Sequence, residues 1–199
     1  MSTATLPPRT VKARTVNTPT VELCGVRVPL TGGLVIAGSR NLTRPLIDSL
    51  TLSRPYDVTE HLVRPRIRRD DLTAYAARVN IARERVLRDR ASVLVNVRES
   101  ADLLSVSAGN RRDRDRLAYA LTRLAGMDAF VVLATDQPSA ATIPADFRLS
   151  AYTRIGFRMT DKDATAVFNR KESADMAQTL TGSQFVIETD DHPPVKGIL

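Results

Sequence analysis

Apolar residues in this chain fall into short unbroken runs separated by amphipathic stretches. Leu34–Ala37, Ala91–Val97, Phe130–Ala134, Arg154–Met159 and Gln184–Glu188 are too short for helices and sit beside turn residues. Runs of this kind suit strands buried on both faces of a sheet. Between them the period changes to three and four. Leu72, Tyr75, Val79, Ala82 and Val86 draw one stripe over Asp70–Arg88, and Leu117, Leu121 and Leu124 draw another that ends at Gly126. Both read as helices with a single buried face. Shorter helices are predicted up to Leu50, after Pro138-Ser139, around Ala164–Arg170 behind a Thr160-Asp161 start, and over Ser173–Leu180. Val21–Leu30 reads as a hairpin turning at Cys24-Gly25, and Pro194–Leu199 as a terminal strand. Thr51–Arg69 has no clear period. Alternation of strand and helix predicts a three-layer α/β domain with a mostly parallel central sheet. It spans 21–199, behind a flexible basic arm at 1–20 that is rich in Thr and Pro.

Composition narrows the class. The 199 residues are 43% hydrophobic and 26% charged, enough for an ordinary core. A lone cysteine, Cys24, rules out an internal disulfide framework and fits a reducing compartment. His61 and His192 are far apart with no cysteine partner, so no metal site is expected. The turn Thr189-Asp190-Asp191-His192-Pro193 reads as a solvated turn rather than a cation site. No run is long enough to span a membrane and no signal peptide is visible, so a cytoplasmic protein is expected.

The net charge is +7, and from Arg64 to Arg90 nine arginines face four acids. Arg64, Arg66, Arg68, Arg69, Arg78 and Arg83 are candidates for contact with nucleic-acid phosphates. A solvated helix face laced with ion pairs explains the same charges.

Three groups of residues carry a family likeness. Leu133-Ala134-Thr135 ends one strand, Pro138-Ser139 follows a polar pair, and Thr153-Arg154-Ile155 opens the next strand. In order and spacing they resemble the FtsK/SpoIIIE/HerA-type DNA translocases, and Pro194-Val195-Lys196-Gly197 resembles the end of that motor. The resemblance implies a RecA-like P-loop NTPase fold and a ring-forming ATPase that binds double-stranded DNA.

It also implies where the nucleotide would sit. Leu34–Ala37, the following loop and an amphipathic stretch form the strand–loop–helix setting of a P-loop, whose backbone N–H groups wrap phosphates. Gly38, Ser39, Arg40, Asn41, Thr43 and Arg44 are the corresponding binding residues, but the pattern is broken. Arg44 stands for the lysine, Pro45 for the metal-binding hydroxyl, and Asn41 and Thr43 for glycines. Proline supplies neither hydroxyl nor N–H, and an arginine fork does not reproduce a compact ammonium. At the Walker B position Glu99 and Ala101-Asp102-Leu103 are kept, with Glu99 the vestigial catalytic glutamate. Arg98 replaces the aspartate and opposes Mg²⁺ by direct repulsion; pairing with Glu99 or Asp102 is expected for it. Asp136 stands near the family's γ-phosphate contact, where it repels one. Arg154 keeps the family's arginine, either at a subunit boundary acting in trans or paired with a nearby acid.

Two functions follow from the resemblance. The first is a catalytically degenerate pseudo-ATPase that needs no cofactor and serves as a structural, oligomeric or DNA- or partner-binding subunit. Its partners would be further copies or a homologous ATPase in a ring. The second is an ATP-dependent double-stranded DNA translocase using ATP and Mg²⁺ at an atypical site.

Overall fold

A computed structural model of the chain describes residues 18–62, 71–105 and 110–199. The expected arm over residues 1–17, Arg64, Arg66, Arg68, Arg69 and Asp70, and most of the loop before Asn110 lie outside the described residues.

The buried runs become a seven-stranded sheet. Its centre is β3 (Gly32–Ala37), flanked by β6 (Ala129–Thr135) and β7 (Ala151–Phe157). β5 (Val93–Val97) and β4 (Val58–Leu62) continue the sheet beyond β6. All five run parallel. β8 (Gln184–Thr189) and β9 (Val195–Ile198) close the other edge antiparallel. β3, β5 and β6 are buried at every position, which is why their sequences are apolar without alternation.

The two faces are covered unequally. One carries α1 (Arg40–Leu52) and the hairpin of β1 (Thr20–Leu23) and β2 (Val26–Pro29). Leu46, Ile47 and Leu50 of the helix and Val26 and Val28 of the hairpin pack with Leu34, Ile36, Leu94, Phe130 and Val132. The hairpin turns through Cys24 (φ 49°) and Gly25 (φ 80°). The opposite face carries α2 (Asp71–Asp89) and α4 (Arg111–Ala125), whose predicted stripes meet Val35, Val95, Val131 and Leu133. α5 (Ala145–Ser150), α6 (Asp161–Val167) and α7 (Lys171–Gln178) lie on the same side. Together these make the three expected layers. Among the described residues no helix is long and apolar enough to cross a membrane.

Sequence and structure differ in two strands. Residues Thr51–Arg69 hold β4, whose exposed Thr59 and His61 alternate with residues facing the sheet's covered side. It is an edge strand with one open face, so half of its positions are polar. Its start is pinned where Asp57 Oδ2 accepts from the Ser92 backbone N–H (2.7 Å) and hydroxyl (2.8 Å). The strand expected at Arg154–Met159 runs instead from Ala151 to Phe157, its start pairing with β3 and its buried Arg154 held by acceptors inside the protein.

Candidate functional site

Ligands in sheets of this kind bind outside the carboxyl ends of the strands. At that end β3 stops at Ala37, and α1 begins at Arg40. Gly38 and Ser39 alone connect them. The resemblance implies a phosphate-binding loop from Gly38 through Pro45, ahead of the amphipathic stretch to Leu50. The structure corrects it: Arg40, Asn41, Thr43 and Arg44 are helical, and Pro45 lies inside the helix. The N–H groups of Leu42 and Thr43 both donate to the Ser39 carbonyl at 3.0 Å, closing the first helical turn. In a phosphate-binding loop such N–H groups point at the ligand.

Gly38 is explained by packing. Its φ of +154° lies where side chains are rarely tolerated, and a Cβ there would meet the Phe157 ring at 2.7 Å. Its own N–H donates to Thr135 O across the sheet (3.0 Å). Ser39 occupies the N-cap position but makes no side-chain capping bond.

The early helix start carries Arg40 over the ends of β5 and β6. Its Nε lies 3.0 Å from Glu99 Oε1 and 3.3 Å from Asp136 Oδ2, and its Nη2 lies 3.8 Å from Asp102 Oδ2. Glu99 precedes α3 (Ser100–Leu104), which begins with Asp102 in its first turn. One guanidinium thus gathers three carboxylates, Glu99 and Asp102 from one motif of the sequence and Asp136 from another, and two negative charges remain in excess. Glu99 is 17% exposed beside Arg40 at 58%. Burial pushes the Glu99 carboxyl upward; Arg40 pulls it down, and Asp136 and Asp102 add to the rise.

Arg98, at the metal-aspartate position, does not pair with Glu99 or Asp102. Its Nη2 reaches Asp48 Oδ1 of α1 at 2.9 Å. Asp48 also lies 3.9 Å from Arg44 Nε. The expected partners were wrong because the chain leaves β5 at Val97 and bends at Arg98 before Glu99 caps α3, so Arg98 meets Asp48 of α1 while Glu99 meets Arg40. Asp48 belongs to no motif; its place one helical turn after Arg44 was the available signal. Nearby Asn96, buried on β5, has an amide without a hydrogen-bond partner at either end. Among the described residues no group of three His, Cys, Asp or Glu side chains is arranged to hold a metal ion.

Arg154 is 1% exposed and sits in the core. Its Nη1 pairs with Glu188 Oε1 (3.2 Å) and Asp190 Oδ1 (3.1 Å), and its Nη2 donates to Arg148 O (2.8 Å). Glu188, equally buried, also accepts the backbone N–H groups of Asn169 and Arg170 (3.0 and 3.1 Å). Of the arginine candidates for nucleic acid, Arg78 is paired with Glu60 and lies against the Tyr75 ring. Arg83 is half-buried in α2.

Neither a protein-family model nor a curated relative matches the chain. Solved structures do. The pCW3 conjugation coupling protein TcpA, in a monomer form with ATPγS, superposes with a TM-score of 0.66 at 14% identity, over 87% of this chain and 62% of that one. The cytoplasmic domain of the Type VII secretion ATPase EccC of Thermomonospora curvata gives 0.64 at 15%, over 87% and 27%. B204, the DNA-packaging ATPase of Sulfolobus turreted icosahedral virus, gives 0.60 at 12%, over 83% and 96%. This chain therefore spans less than two thirds of the first two proteins and nearly all of the third. The likeness is one of fold: the chain shares its three-layer α/β architecture with this coupling protein and with these secretion and packaging ATPases.

Proposed function

We propose that this protein is a pseudo-ATPase: a motor-like domain that turns over no nucleotide and acts as a structural, oligomeric or DNA- or partner-binding subunit. The observation that carries the reading is the position of Arg40. Helix α1 starts early enough to lay its guanidinium on Glu99, Asp102 and Asp136, at the strand ends where an ATPase of this fold would place the nucleotide and its metal. Three features agree with it. The two-residue connection leaves too little backbone to encircle a phosphate. Pro45 withholds an N–H and a hydroxyl. Arg98 puts a cation where Mg²⁺ would need a carboxylate. ATP and Mg²⁺ do not fit these residues.

The experiment is a thermal melt with millimolar ATP and Mg²⁺, followed by calorimetric titration. No shift in Tm is expected. A rise of several degrees, as saturating ligand produces by linkage, would overturn the proposal. The partners belonging to this reading are further copies, a homologous active ATPase sharing a ring, and double-stranded DNA; solution mass with and without a DNA duplex tests the first and the last.

One observation favours the second reading, an ATP-dependent DNA translocase with an atypical site. Burial holds Glu99 above the ordinary carboxylate range, as suits a base that activates water. In that case Arg44, exposed at the helix start, would contact phosphate.

A further inference from the structure

The first turn of α1 is held unlike the rest of that helix. Ser39 caps it with no side-chain bond, and no acid lies in the first turn to offset the helix dipole. Arg40 and Arg44 stand there instead, at the end where positive charge is unfavourable. Pro45 has no N–H, so the Asn41 carbonyl loses the bond that would couple the first turn to the second. Apolar anchoring is weaker before the proline, where Leu42 is only partly buried against the core and Thr43 is buried, than after it, where Leu46, Ile47 and Leu50 are all buried. What opposes these deficits is the set of ion pairs from Arg40 to Glu99, Asp136 and Asp102, with Arg44–Asp48 beside them.

From this we infer that residues 40–44 are a conformational switch hinged at Pro45. The helical turn is latched by the carboxylates of Glu99 and Asp136, and it unwinds when the latch is released while the remainder of α1 stays docked. The unwound form would lengthen the link between β3 and α1 from Gly38-Ser39 to Gly38–Arg44. The backbone N–H groups of Leu42 and Thr43 would then be free, and Arg40 would leave the strand ends. The charged groups facing the latch are Arg40 from α1, Glu99 from the end of β5, Asp102 from α3 and Asp136 from the end of β6; Arg98 faces away, toward Asp48.

This concerns the same site as the proposed function, but its readout contains no nucleotide, so either can fail alone. The test is hydrogen–deuterium exchange of the full chain at neutral pH, comparing wild type with the Glu99→Gln/Asp136→Asn double variant. Neutral isosteres keep the shapes and remove the latch. Expected is about tenfold faster exchange over residues 40–44, the loss of two partly exposed ion pairs, with 46–52 unchanged. Unchanged protection over 40–44, or an equal rise over 46–52, overturns the switch. Pro45→Ala restores the missing helical bond and is expected to slow exchange over 40–44 roughly threefold. No slowing there removes the hinge.

Discussion

Arg98 bonds to Asp48 across the interface between β5 and α1, at 2.9 Å, while its sequence neighbour Glu99 bonds to Arg40 on the other side. The two positions that the sequence resemblance assigns to the metal aspartate and to the catalytic glutamate are thus drawn into separate ion-pair clusters, each fastened to α1. Their partners lie two helical turns apart on that helix.

The first consequence concerns stability. Arg98→Ala is expected to cost about 1 kcal/mol, because the pair is only partly shielded from water. In a double-mutant cycle with Asp48→Ala most of that cost should disappear. Arg98→Asp should cost more than Arg98→Ala, since it sets a second carboxylate against Asp48. Urea denaturation of the wild type and the four variants reads all of this.

Restoring the motif without restoring the loop is expected to fail. The Arg44→Lys/Pro45→Ser variant regains the lysine and the hydroxyl. Its helix still begins at Arg40 with Arg40 seated on the three carboxylates, so its Tm should not respond to ATP and Mg²⁺. A gain of several degrees would show that side-chain identity, not loop length, limits binding.

The Arg154–Glu188 pair predicts a larger effect. Each residue is 1% exposed, and Glu188 additionally holds two backbone N–H groups ahead of α7. Glu188→Ala leaves two amides without their acceptor and the buried guanidinium with Asp190 as its one carboxylate partner, at an expected cost of about 3 kcal/mol by urea denaturation. A replacement of both partners by apolar residues should recover a large part of that loss.

Two carboxyls should shift stability with pH in opposite directions. Glu99 is raised in the fold by burial, so its contribution is fully present below its unfolded value and is lost as pH rises through the raised value. Asp57 is lowered, chiefly by the Ser92 backbone N–H and then by the Ser92 hydroxyl. Its contribution is present above its unfolded value and is lost as pH falls through the lowered one. Tm measured across the carboxylate range should therefore lose its Glu99 component in Glu99→Gln and its Asp57 component in Asp57→Asn, with opposite slopes.

A third titration sits higher. Burial pushes the Tyr56 phenol up to about 12, against the weaker pull of Arg54. Spectroscopic titration of wild type and Tyr56→Phe should show a tyrosine that ionises about two units above an exposed one in the former alone.

The sheet and the large helices were legible because burial on both faces makes β3, β5 and β6 almost wholly apolar, with Asn96 and Thr135 the polar exceptions, and one-sided burial writes a stripe on α2 and α4. β4 was not legible, since an open edge strand needs apolar residues on only one side. At the site, the sequence marked the residues but not their partners. Gly38, Arg40, Glu99, Asp102 and Asp136 were all visible in the chain, yet their meeting depends on where α1 starts. Pro45 suggested a late start, and ion pairs that span from residue 40 to residue 136 decided otherwise. Arg154 was visible as a charge in an apolar run, and the run gave no hint whether the charge faces a neighbour or the interior.

The short link between β3 and α1 also bears on how such a chain can change over time. A loop that binds phosphate through its backbone restrains its residues one by one, whereas Arg40 and its three carboxylates restrain one another. Among proteins that share the Gly38-Ser39 link, position 40 should vary together with positions 99, 102 and 136, a basic residue appearing only where acids accompany it. Where the link is longer, that correlation should vanish.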